Sequence, residues 1–310
     1  MKYAYFPGCS QEASAEEYNR SWQAVAQHLE ALDLAEIPDW NCCGATPAAT
    51  VNPLLPHALA ARNLAIAEEM GMDVVAPCAS CYKNMNKASH ALNDDPALLA
   101  RVNATLDGHQ LNRAPAVRHP LDVVVNGVGL DNVPVKRPLQ GLKIASYYGC
   151  LITRPEGGFD DPEHPQSMDR LMEALGADAV DWAYKTTCCG GAIYMTTEAV
   201  SFALSADILA HAKAAGANAV AVGCPFCQLL LDLYQDKLEA LKGTTFNMPI
   251  FFFSQLMGLA MDIDRQELGL EKLVVAPFDL LAETVYAPEG AIEAKPKRPK
   301  AAKPKKWGEA

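Results

Sequence analysis

Ten cysteines divide into two sets of five, Cys9, Cys42, Cys43, Cys78 and Cys81, then Cys150, Cys188, Cys189, Cys224 and Cys227. The first members lie 141 residues apart and each of the other four pairs 146 apart, so the separation of the CC pair from the CxxC pair is identical in both sets. No cysteine is left over. Spacing duplicated in this way marks an internal repeat, and it constrains the chain to two related units that each gather five thiols. The flanking sequence repeats as well. Lys2–Phe6 before Gly8-Cys9 corresponds to Leu142–Tyr148 before Gly149-Cys150, and Asn41-Cys42-Cys43-Gly44 to Thr187-Cys188-Cys189-Gly190. The run Asp73–Ala76 enters Pro77-Cys78-Ala79-Ser80-Cys81 as Ala219–Val222 enters Gly223-Cys224-Pro225-Phe226-Cys227.

Short β-branched runs alternate with longer helical patterns. Glu16 to Leu32 carries Trp22, Val25, Ala26, Leu29 and Leu32 on one face, while Pro56–Met70 and Thr197–Ala215 close at Gly71 and Gly216. This alternation predicts an α/β fold of two pseudo-repeated halves, each a small, mostly parallel sheet with flanking helices and one CCG site. Ligands in such sheets sit beyond the carboxyl ends of the strands, where all three cysteine groups of each half are expected. A Pro-, Gly- and Asn-rich stretch at 126–138 divides the halves, giving 1–138 and 139–288, and a weak helical pattern at Pro120–Val125 is placed to pack between them. Residues 289–310 are Lys/Pro/Ala-rich and read as a basic disordered tail, either solvated or docked on an acidic partner.

Met1 and Lys2 lead directly into a strand-like run, without the apolar core and cleavage site of a secretory leader, so the expected compartment is the cytoplasm. Structural disulfides are disfavoured there, and ten thiols point to metal ligation or catalysis. The apolar run Ile250–Met261 falls short of the roughly 20 residues that cross a bilayer and reads as a buried strand entering a helix. Net charge is −11, with +6 in residues 295–310 and therefore −17 in the remainder, a balance that argues against a nucleic-acid surface.

A CxxC opening a helix offers two sulfurs to one metal, and the helix N-terminus favours thiolates. Adjacent cysteines on a strand point to opposite faces, so a CC pair serves one site only on a turn, which Gly44 and Gly190 permit. One tetrahedral zinc takes four ligands, whereas five thiolates suit a multinuclear iron–sulfur group better.

The pattern Cys-x32-Cys-Cys-Gly with x34 to Cys-x-x-Cys, and its second copy with x37 and x34, resembles the duplicated CCG domain of the heterodisulfide reductase B-type component over about residues 1–285. Tyr147-Tyr148-Gly149-Cys150, Arg154-Pro155 and Phe159–Pro165 belong to the same resemblance. It implies a noncubane 4Fe-4S cluster on Cys9, Cys42, Cys43, Cys78 and Cys81 and a second on Cys150, Cys188, Cys189, Cys224 and Cys227, with a disulfide cleaved between them. It also implies two partners, an iron–sulfur C-type subunit and a flavin-bearing A-type subunit. No CxxCxxCxxxCP run is present for an in-chain ferredoxin, so a partner must exchange the electrons.

Three functions fit this reading. The first is reductive cleavage, or reverse formation, of a disulfide. The second is sulfur oxidation on the same scaffold, with sulfane sulfur or carrier-bound thiols as substrate. The third is a non-catalytic electron relay or zinc-binding module, with zinc in one half as the alternative cofactor. Arg154 is placed either to hold an anionic substrate group or to form a surface ion pair, and His164 either to deliver a proton or to serve its loop. Lys83 and Lys87 read as solvent-facing, and the other histidines form no constellation. Gly190-Gly191 lacks the companions of a phosphate loop and reads as a close backbone approach.

Overall fold

Each half builds one four-stranded sheet in which every pairing is parallel. The computed structural model describes residues 1–45, 48–155 and 157–287; the tail expected at 289–310 lies outside them. In the first sheet β1 (Lys2–Tyr5), β2 (Asp33–Glu36), β3 (Asp73–Val75) and β4 (Val117–Arg118) stand in the order β2-β1-β3-β4. In the second, β5 (Lys143–Tyr147), β6 (Asp178–Ala179), β7 (Ala219–Val222) and β8 (Ile250–Phe252) repeat it as β6-β5-β7-β8. The central strands are apolar because helices cover both faces: all four residues of Ala219–Val222 are buried. The edge strands β2 and β6 are short and half-exposed, which blunts edge pairing.

The helices follow the expected pattern with one difference. Helices Leu55–Glu69 and Glu198–Ala214 are followed by Gly71 at φ +68° and Gly216 at φ +88°, the left-handed C-terminal stop that glycine adopts freely. The amphipathic run at Glu16, however, leaves the helix after His28. Leu29 is already extended, and Leu29 and Leu32 fill the core from a turn whose Leu32 N–H donates to Leu29 O, because Asp33 must open β2.

The halves are not separately cored. A first hydrophobic core contains Tyr18 and Trp22 from helix Glu16–His28 together with Phe252, Phe253 and most of the second half, while the buried residues of a second core all come from the first half, with Phe159 of the second half packed against them. Tyr18 stacks on Phe252 with ring centroids 4.2 Å apart, Trp22 meets Phe253 at 6.4 Å, and the buried Ser21 and Ser254 hydroxyls bond at 2.7 Å. The Pro120–Val125 stretch is one helical turn, Pro120–Asp122, running into a π-helical segment, Val123–Gly129. Its Leu121, Val123, Val124, Val125 and Val128 enter the shared core.

Trp22 is fully buried in that shared core. Trp22→Ala is expected to cost about 3–5 kcal/mol, read as a lowered urea midpoint of the full chain at unchanged slope.

Candidate functional site

Parallel pairing puts the carboxyl ends of β1, β2 and β3 on one edge, and the five cysteines of the first half follow those three strands. Cys9 lies in helix Gly8–Glu12 after β1, Cys42 and Cys43 in the loop after β2, and Cys78 at the N-cap of helix Ala79–Asp94 after β3, with Cys81 in its first turn. The second half repeats this arrangement. Cys150 sits in the turn after β5, Cys188 and Cys189 in the loop after β6, and Cys224 at the N-cap of helix Pro225–Asp232 with Cys227 inside it. Burial repeats too: Cys9, Cys42 and Cys188 are exposed, Cys150 is half-buried, and Cys43, Cys78, Cys81, Cys189, Cys224 and Cys227 are buried.

Each CC turn is held by side chains of later helices in its own half. Asn63 of Leu55–Glu69 accepts from Asn41 N at 2.9 Å and donates to Asn41 O at 3.0 Å, and Asn84 donates to Cys43 O. In the second half the Ser205 and Ser201 hydroxyls donate to Cys189 O at 2.9 and 3.5 Å. Gly44 and Gly190 follow these pairs at φ +73° and +82°, and a Cβ at Gly190 would stand 2.7 Å from Ser201 Cα. That glycine therefore has both a conformational and a steric reason.

The thiols converge within each half. Cys43 Sγ and Cys81 Sγ are 3.2 Å apart, and Cys189 Sγ and Cys227 Sγ 3.6 Å apart. Among the described residues no three Cys, His, Asp or Glu side chains are arranged to hold a single metal ion. The sets are all-sulfur, the donor type that iron–sulfur groups take. Glycines also clear backbone from the sulfurs: a Cβ on Gly8 would lie 3.2 Å from Cys81 Sγ, and one on Gly149 3.0 Å from Cys227 Sγ, both at φ near +68°. Gly191 similarly approaches Phe226, with no Cβ to meet it. Buried polar atoms without partners stand beside the sets, namely both side-chain atoms of Gln11, two residues after Cys9, and the Tyr18 hydroxyl. These are features of a cradle for a sulfur-ligated group.

Proton affinity is split inside each set. Cys78 is lowered to about 7 by the Cys81 thiol and, against the effect of burial, by the Cys81 and Ser80 N–H groups of the helix N-terminus. Cys43 is also lowered, chiefly by Cys81, while Cys81 is pushed well up as it keeps the shared proton. In the second half Cys188 is lowered to about 6, first by the Cys150 thiol, then by the Gly190 N–H and the Arg154 charge. Cys150 and Cys227 move up as the protonated partners.

A cavity of about 890 Å³ opens beside Cys188, lined among others by Arg154, Glu163, His164, Trp182 and Lys185. Both polar residues singled out from the sequence thus lie on the wall that carries an exposed cysteine. Arg154 is engaged with Glu163 at 3.3 Å and Thr186 O at 3.4 Å, His164 is exposed, and Lys185 pairs with Asp169 at 2.9 Å. Lys83 and Lys87 are exposed on helix Ala79–Asp94.

The sequence matches the cysteine-rich domain family, CCG, at residues 3–86 and again at 144–232. It is 31% identical over 291 residues to the B-type component of the ferredoxin/F420H2-dependent CoB-CoM heterodisulfide reductase of Methanosarcina acetivorans, covering 91% of this chain and 96% of that one. The chain belongs to the CCG family of heterodisulfide reductase B-type components. Another relative is the 8-methylmenaquinol:fumarate reductase membrane anchor subunit of Wolinella succinogenes, 34% identical over 281 residues, or 88% of this chain and 97% of that one. No helix among the described residues is long and apolar enough to cross a membrane. A hypothetical protein from Helicobacter pylori shares the fold, with a TM-score of 0.73 at 16% identity; the match spans 88% of this chain and 51% of that one.

Within this CCG pair, two residues near the sulfurs carry no sequence signal. Tyr18 is not among the residues that the sequence pattern picks out in the Glu16 run, and its hydroxyl is pushed well up by burial and by the charges of Tyr5, Cys224 and Cys78, one cysteine from each half. His119 is among the histidines that form no constellation in the sequence, yet its ring is fully buried between the two halves.

With Cys188 exposed and lowered to about 6, the thiolate is its majority form from pH 7 upward. Bimane labelling of the metal-free, reduced chain is expected to mark Cys188 with a midpoint near pH 6, below the roughly 8.5 of a free thiol. Arg154→Ala moves that midpoint upward.

Proposed function

We propose that this chain is the cysteine-rich iron–sulfur subunit of a heterodisulfide-reductase-like complex, with Cys9, Cys42, Cys43, Cys78 and Cys81 holding one noncubane 4Fe-4S cluster and Cys150, Cys188, Cys189, Cys224 and Cys227 the other. The observation that carries this reading is the junction of the two sets: the carbonyls preceding Cys78 and Cys224 both lie 3.1 Å from one nitrogen of His119. Sites this close serve one substrate with two sulfurs.

When bound, such clusters supply one-electron redox chemistry and sulfur-binding iron. The overall reaction is RS–SR′ plus two electrons and two protons giving RSH and R′SH: the S–S bond breaks, the disulfide is reduced, and partner subunits carrying iron–sulfur clusters and a flavin supply the electrons. This chain's own residues orient and protonate. Arg154 on the Cys188 wall holds an anionic group of the substrate, exchanging its exposed contact with Glu163 for the new one. His164, exposed on the same wall, delivers a proton to a departing thiolate. Apolar packing of Tyr18 against Phe252 and Phe253 excludes water beneath the junction.

A second reading is favoured by the 34% identity to the Wolinella protein. In it the same two sets relay electrons within a quinol:fumarate reductase complex and break no disulfide. Turnover by the assembled complex separates the two, since thiol release from a mixed disulfide supports the first and quinol-dependent fumarate reduction without thiol release supports the second.

Anaerobically loaded full chain is expected to hold about eight irons. Cys43→Ala and Cys189→Ala each reduce this to about four, remove one cluster's spectrum and abolish disulfide turnover. A variant that loses one cluster and still turns over disulfide at the parent rate sinks the two-cluster scheme.

A further inference from the structure

We propose that His119 is a positioning residue that makes the two cysteine sets a single site, its Nε2–H tying together the two CxxC turns. The ring is fully buried. Nε2 lies 3.1 Å from Pro77 O and 3.1 Å from Gly223 O, while Nδ1 accepts from Leu121 N at 3.2 Å. With Nδ1 committed as an acceptor, the proton sits on Nε2 and is shared by the two carbonyls. Pro77 and Gly223 are equivalent residues of the repeat, 146 apart, so the imidazole is equidistant from corresponding carbonyls of the two halves.

The pocket is shaped for this ring. Phe159 stacks parallel to it within 5° at 6.4 Å, Tyr82 meets it edge-on at 5.7 Å, and Phe253 closes a third side at 6.1 Å. The repeat itself departs from symmetry where the ring needs room. A Cβ at Gly223 would stand 3.1 Å from His119 Cε1 and 2.9 Å from Ile152 Cδ1, and glycine replaces the proline of the first half there. Each carbonyl belongs to the residue before an N-cap cysteine, so displacing it rotates the peptide that places Cys78 or Cys224. His119 also follows β4 directly, at the start of the segment that crosses between the halves. The functional meaning rests on the two-cluster reading above, whereas the tie between the turns does not.

The test compares His119→Gln with His119→Asn in the full chain. A glutamine amide nitrogen reaches the position of imidazole Nε2, and an asparagine amide reaches only that of Nδ1. Metal-free, reduced protein is treated with bis-maleimides of graded length, and links between first-half and second-half cysteines are mapped by peptide mass spectrometry. The glutamine variant is expected to keep the parent's dependence on linker length and the asparagine variant to broaden it. After anaerobic loading with iron and sulfide, the asparagine variant is expected to retain iron about 10–100-fold less tightly in both halves, with glutamine restoring retention. A parent-like profile and parent-like retention in His119→Asn overturn the proposal, as does an equal change in both variants. A parent chain that takes up no iron overturns the two-cluster reading, and the cross-linking comparison still decides the role of His119.

Discussion

Parallel strand pairing is the constraint on which the rest of the molecule depends. A parallel sheet puts every strand's carboxyl end on one edge, so three loops widely separated in sequence arrive at a common place without a dedicated scaffold. Here those loops carry Cys9, Cys42–Cys43 and Cys78–Cys81, and their counterparts 141 and 146 residues later. The fourth strand of each sheet carries no cysteine. β4 leads instead to His119, and β8 to Phe253, and both residues pack between the halves. Three strands thus gather sulfur, and the fourth joins the gathered sets.

The legible part of the fold was the part written in local pattern. The β-branched runs at Asp73–Val75 and Ala219–Val222, and glycine stops such as Gly71 and Gly216, are short-range signals that survive folding unchanged. The CC turns were legible for the same reason, since Gly44 and Gly190 adopt the left-handed backbone that adjacent ligands require. Edge strands β2, β4 and β6 carry little signal, being short and partly polar. Shared burial was invisible as well. Nothing in Glu16–His28 announces that Tyr18 will stack on Phe252, because that contact joins residues 234 apart and is set by the docking of the two halves. His119 belongs to the same class: its two carbonyl partners lie 42 and 104 residues away, and only the assembled interface brings them to one nitrogen. The Arg154 and His164 wall lies between, since the residues were identifiable from their place after Cys150, but the cavity they share with Cys188 needs the loop after β6 to close it.

Burial and charge together decide what such thiol sets can hold. In each half several sulfurs are buried within reach of one another, and their protons are divided unequally: Cys78 and Cys188 are held low while Cys81, Cys150 and Cys227 are held high. Each depressed thiol is depressed mainly by the proton its neighbour keeps. Full ionisation of a set would therefore remove the interaction that made the first ionisation favourable, and would leave several negative charges in a poorly solvated space. The chain's overall balance of −11 offers no general relief, and Arg154 acts on Cys188 alone among the cysteines whose shifts are resolved. In the two-cluster reading, bound cationic metal would supply the countercharge that lets these sulfurs ionise, so that loading and proton release would be one event. Glycines at 8 and 149 keep backbone off Cys81 and Cys227, two of the thiols whose protons are held tightly, and clear space beside them.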